Sequence, residues 1–99
     1  MAYINAVKKL INTIKKEASA DAISIICCAE EKLYYLSQMD DIIEYVEAVD
    51  DVVGIRAYSK DEHTSLGWFG IEPENEELFD VIYDYTDNDY CKKIMNNLK

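Results

Sequence analysis

The residues with most capacity for chemistry are carboxylates. Residues 40–89 hold 16 of the 20 Asp and Glu residues in this 99-residue chain and only two basic ones, Arg56 and Lys60, for a formal charge of −14. The flanks lean the other way: residues 1–39 carry five Lys against four acids, and residues 90–99 carry three Lys and no acid. Paired carboxylates perform acid–base catalysis when a cleft separates their pKa values, and nothing in the sequence selects one pair. The single histidine, His63, falls in a polar loop beside Asp61 and Glu62. A triad would need a nucleophile near it, and Ser65 or Cys27 could reach it only through the fold. Asp84, Asp87 and Asp89 are dense enough for a calcium loop, but the glycine at the sixth place and the closing glutamate of an EF-hand are missing. Cys27, Cys28 and Cys91 are odd in number, show no C-x-x-C spacing and have one histidine for company, too few ligands for zinc. They read as reduced, half-buried thiols. There is no P-loop and no G-x-G-x-x-G. The expectation is a protein without catalytic, cofactor or metal sites.

Carboxylates have one further use, as stand-ins for phosphate. Steps of three or four residues along a helix advance about 4.5–6 Å, so Asp40, Glu44, Glu47 and Asp51 would form one row of like charge. Glu77, Asp80, Asp84 and Asp87 would form a second, with Glu76 beside it. Each strand of duplex DNA presents one charge per about 3.4 Å, and two neighbouring rows approach a comparable field. Such rows cost a few tenths of a kcal/mol per like-charge pair, a cost that a binding role would justify. Tyrosines are interspersed, and Tyr45 and Tyr83 lie within the acidic segments, where a ring and a hydroxyl serve apolar and polar contacts alike. A well-solvated acidic face has the same composition.

In charge, size and aromatic content the chain resembles phage-encoded nucleic-acid mimics that block restriction or CRISPR effectors. The resemblance rests on composition and covers no motif. It implies a non-enzymatic inhibitor whose acidic rows contact a basic, nucleic-acid-binding effector. An immunity protein or antitoxin that plugs a basic toxin would look the same. A small regulatory module, or an enzyme with an unrecognised site, is also compatible with this composition. The net charge of −10 repels nucleic acid itself and anionic membranes.

The elements that must position these residues follow from periodicity. Residues 3–18 read as a helix, with Ile4, Val7, Leu10, Ile11, Ile14 and Ala18 on one face and Lys8, Lys9, Asn12, Lys15 and Lys16 on the other. Residues 22–29 are apolar and β-branched, a buried strand. Glu30, Glu31 and Lys32 make a polar turn, and residues 33–37 return as a hairpin, although Glu-Glu-Lys-Leu is also good helical sequence. Ser37 suits an N-cap with Asp40 three residues on, opening a helix to about residue 50 whose buried stripe is Met39, Ile42, Ile43, Val46 and Val49. Residues 52–59 and 64–71 form a second hairpin, with Val53, Ile55 and Ala57 on one face. Gly67 and Gly70 around Trp68 and Phe69 signal a bulge or a close approach, and Trp68 reads as a core or half-buried aromatic rather than a ligand platform or binding hot spot. Pro73 suits the first turn of a helix whose inner face is Leu78, Val81, Ile82 and Tyr85. Residues 86–89 offer a second cap, and Tyr90, Cys91, Ile94, Met95 and Leu98 face inward from a last helix.

The expected fold is a single α+β domain in the order α-β-β-α-β-β-α-α, with two hairpins pairing into a four-stranded antiparallel sheet packed by helices. A chain of this length buries about 60–65% of its unfolded surface, enough for one modest core. No apolar run approaches the roughly 20 residues of a membrane span, and the N-terminus lacks the pattern of a signal peptide. The chain reads as a cytoplasmic monomer or homodimer.

Overall fold

The computed structural model describes residues 2–27, 30–49, 52–60, 64–71, 82–84 and 89–98. Along the chain these form α1 (Ala2–Glu17), β1 (Ala20–Cys27), β2 (Glu31–Tyr35), a 3-10 turn (Leu36–Gln38), α2 (Met39–Val49), β3 (Val52–Ser59), β4 (Ser65–Ile71), β5 (Ile82–Asp84) and α3 (Asp89–Leu98). The sheet is antiparallel with strand order β2-β1-β3-β4-β5. The two expected hairpins join through β1 and β3, where Ile23 faces Ala57 and Ile25 faces Ile55. A helix over residues 22–37 is excluded.

The core lies between the three helices and one face of the sheet. Val7, Leu10, Ile11 and Ile14 of α1, Ile42 and Val46 of α2, and Cys91, Ile94 and Leu98 of α3 are buried together with Ile23, Ile25, Ile55, Ala57, Phe69 and Ile71. The helical stripes repeat at three and four residues and the strand residues at two, the two periods that place side chains on one face. Tyr90, Met95, Met39 and Val49 pack at the margin, and Ile43 is half-buried rather than buried because it lies off the axis of the stripe set by Ile42 and Val46.

Several boundaries differ from the sequence reading. Glu31 and Lys32 are strand residues, paired with Ile26 and Ile25, because both strands of the hairpin lie two residues earlier than expected, with the Cys27 N–H donating to the Glu30 carbonyl at 2.8 Å. Ser37 is not an N-cap. It sits in the 3-10 turn, and the Gln38 side chain reaches back to accept from the Tyr35 N–H at 3.0 Å. Val52, not Val53, enters the core, since the register shifts between Ile26 and Cys27; one extra residue in a strand turns the following side chains over. A second shift, between Ala57 and Tyr58 opposite Gly67 and Ser65, is the bulge expected near the glycines. The close approach occurs at Gly54, where a Cβ would lie 2.8 Å from the Trp68 ring.

The largest departure is β5. The helix expected from Pro73 to Tyr85 does not extend through Ile82–Asp84, which pair with β4 instead: Ile82 with Ile71, Tyr83 with Gly70 and Asp84 with Phe69. A free β4 edge would leave a row of backbone donors and acceptors unpaired, and an Ile-Tyr pair has good strand propensity. The start of that predicted helix at Pro73, together with Leu78, Val81 and Tyr85, lies outside the described residues, as do Thr86, Asp87 and Asn88 of the expected cap.

Helix α1 stops at Ala18, which leaves the helical stripe and adopts φ 74°. This left-handed geometry at a helix C-terminus normally selects glycine. Glu17 fastens the exit: its carboxylate accepts from the Ser19 N–H at 2.9 Å, from the Ser19 hydroxyl at 2.8 Å and from Lys93 of α3 at 3.3 Å. Burial pushes the Glu17 pKa up, but these bonds outweigh it and hold it below the usual value. Ala18→Gly is expected to raise stability by about 0.5–1 kcal/mol, relief of left-handed strain exceeding the entropy added to the unfolded chain. Thermal unfolding checks it; an unchanged or lower melting temperature would contradict the strain argument.

Candidate functional site

Helix α2 is the element that presents the acidic surface. Ile42 and Val46 anchor it to the core, while Asp40 and Asp41 in its first turn complement the positive end of the helix dipole. Burial of that inner stripe obliges the polar residues to face water. Asp40, Asp41, Glu44 and Glu47 are not buried. Glu47 is ion-paired with Lys8 of α1, an exposed pair of the kind worth about 0–1 kcal/mol. Asp40, Asp41 and Glu44 make no ion pair among the described residues.

Of the second expected row, Asp84 is the described member, and it is not helical. Asp84 belongs to strand β5 and Tyr83 is paired opposite Gly70. Glu76, Glu77, Asp80 and Asp87 lie outside the described residues, and so does Asp51 at the end of the first row. Asp40, Glu44 and Glu47 are therefore the expected carboxylates that the structure brings together, and Asp41 is the one that sequence reasoning omitted.

Tyr45, named from the sequence as a partner contact, is half-buried. Its hydroxyl lies 3.7 Å from Cys27 Sγ, and its ring is tilted 50° against Tyr34 with centroids 5.7 Å apart. Burial foremost, then the hydrogen bond with Cys27, pushes the Tyr45 pKa up, so the hydroxyl stays neutral at physiological pH. Tyr34 and Tyr45 share a surface cavity of about 270 Å³ with Lys32, Asp41, Glu44 and Ala48. Lys32 and Tyr34 alternate with Leu33 on β2, which puts them on the helix side of the sheet. That parity was readable in the sequence; the meeting with α2 was not.

The basic side of the molecule adjoins the acidic one. Lys8, Lys9 and Lys16 line a groove of about 600 Å³ along α1 with Asn5, Asn12, Thr13, Glu17 and Asn97. On the opposite face of the sheet, Ser24 is buried, its hydroxyl donating to Glu31 at 2.6 Å and lying 3.2 Å from that of Tyr58. Arg56 approaches Glu31 at 3.6 Å. This cluster places a serine beside a carboxylate but brings no imidazole to it among the described residues, and it reads as a polar network bracing the sheet. Cys27 and Cys91 are buried; Cys28 and His63 lie outside the described residues. Among the described residues, no group of three His, Cys, Asp or Glu could hold a metal ion, and no helix is long and apolar enough to cross a membrane.

Fold and site together define a small α+β domain with a helix-borne acidic surface beside an aromatic cavity. No family model, curated protein or solved structure matches the chain.

Proposed function

We propose that this protein is a non-enzymatic inhibitor whose acidic α2 face docks on the basic, nucleic-acid-binding surface of a partner protein, in the manner of the nucleic-acid mimics that phages direct against restriction or CRISPR effectors. The observation that carries the reading is the joint presentation of Asp40, Asp41 and Glu44, next to Glu47, on a helix whose inner face is locked into the core. Held in this way, the carboxylates are positioned before binding, and little ordering entropy is lost on contact. The concentration of acids in residues 40–89 supports the same reading.

Affinity capture followed by binding kinetics tests it. The variant Asp40→Lys, Asp41→Lys, Glu44→Lys moves the net charge from −10 to −4, since each exchange adds two charges. Its association rate with the captured partner should fall by about tenfold or more, and its affinity should respond less to salt than that of the wild type. Lys9→Glu on the α1 side should leave binding unchanged or stronger. A triple variant that binds with wild-type affinity and salt slope would show that the α2 carboxylates are only a solvated surface. Capture of a basic toxin that does not bind nucleic acid would replace mimicry with immunity.

A further inference from the structure

The cavity beside α2 already contains a cation. Lys32 Nζ lies 5.5 Å from the centroid of the Tyr34 ring and 5.1 Å from that of Tyr45. Both distances fall within the roughly 6 Å over which an aromatic face attracts a cation. The two rings, tilted 50° to one another, form a V whose mouth is flanked by Asp41 and Glu44. The walls are fixed: both rings pack against the core, and the Tyr45 hydroxyl rests against Cys27. The occupant is not. Lys32 is an exposed residue of edge strand β2, with a four-carbon stem free to swing into solvent.

We propose that the Tyr34–Tyr45 slot is a receptor for one lysine or arginine side chain of a basic protein partner, and that Lys32 fills it in the unbound protein. The inference rests on the reading of α2 as a face that docks on a basic protein, and it adds the anchor of that contact. An incoming cation replaces Lys32 on the two ring faces and gains Asp41 and Glu44 at the rim. The exchange of one cation for another leaves no charge uncompensated. Guanidinium suits the slot well, being planar, weakly hydrated and able to stack on aromatic faces. Anions and neutral side chains have nothing to gain there, so the slot adds selectivity to a field that by itself only attracts positive charge.

The test uses the full chain and two short peptides, one with a single arginine between uncharged residues and one with citrulline, its neutral isostere, in the same place. Binding is followed by NMR through the ring resonances of Tyr34 and Tyr45. In Lys32→Ala the arginine peptide should shift both rings and bind about three- to tenfold more tightly than to wild type, the range set by one competing exposed cation–π contact. The citrulline peptide should shift neither. Tyr34→Leu, which retains an apolar group at the core margin, should remove the response at Tyr45; far-ultraviolet circular dichroism verifies its fold. Equal responses to arginine and citrulline, or unmoved rings in Lys32→Ala, would overturn the proposal. Against the captured partner the two readings fail separately. If Tyr34→Leu binds as tightly as wild type, the slot is not the anchor; if the Lys triple variant keeps the wild-type salt slope, the acidic face is not the docking surface.

Discussion

Leu10→Asp should abolish the folded state. Leu10 is fully buried at the middle of α1, among Val7, Ile11 and Ile14, and α1 packs against α2, α3 and β1. An aspartate there would either ionise without a partner or take up a proton at a cost, and it would forfeit the leucine contacts. An uncompensated buried charge costs about 3–5 kcal/mol, and the cavity left by a shortened leucine adds to it. A small domain commands about 5–15 kcal/mol in all, and a chain of this size sits toward the lower end. Urea unfolding followed by circular dichroism should show no cooperative transition. Leu33→Asp, by contrast, changes a side chain that is 49% exposed on an edge strand and should alter stability by no more than about 0.5 kcal/mol. A wild-type midpoint for Leu10→Asp would place α1 off the core and refute the layer arrangement.

Phe69→Ala should cost about 3–5 kcal/mol. Phe69 is the largest fully buried side chain among the described residues. It sits on β4 between Ile55 and β5, and its ring is tilted 60° against that of Tyr90 at 6.4 Å. The Tyr90 hydroxyl is buried with no hydrogen-bond partner among the described residues, and burial pushes its pKa up. A void beside that hydroxyl could admit water and satisfy it, which would bring the loss toward the lower end of the range. The same alanine in a Tyr90→Phe background leaves an apolar, dry cavity and should cost more. Tyr90→Phe alone should be neutral or stabilising, because it removes a buried polar group that lacks a partner. Emission of the single tryptophan, Trp68, one residue away on the opposite face of the sheet, reports the transition in each variant. A Phe69→Ala midpoint close to wild type would mean that β4 is not anchored through this face.

The helices and the two hairpins were legible in the residue order because their signals are local. A 3.6-residue period in α1, α2 and α3 and β-branched runs in β1 and β3 each imply one buried face, and a core results wherever such faces meet. The acidic character of α2 was legible for the same reason: once Ile42 and Val46 point inward, Asp40, Glu44 and Glu47 must point outward. Nothing non-local is needed for these conclusions, and the antiparallel α+β class follows from the order of elements.

Tertiary structure decided the rest. Ile82–Asp84 carry helical spacing in an acid-rich stretch, yet the β4 edge recruited them, since pairing the backbone groups of a neighbouring strand outweighs the weak local preference of three residues. That choice takes Asp84 off the helix face on which its spacing had placed it. Val52 displaced Val53 from the core through a register shift that no local pattern announces. Tyr45, which by sequence could equally face solvent, sets its ring against Tyr34 and its hydroxyl beside Cys27, a meeting of α2 with β1 and β2 that no local pattern specifies. The slot of Lys32, Tyr34 and Tyr45 joins an edge strand to a helix that begins several residues later. Its members are set by strand register and helix rotation together, and those two quantities exist only once the sheet and the helices have packed.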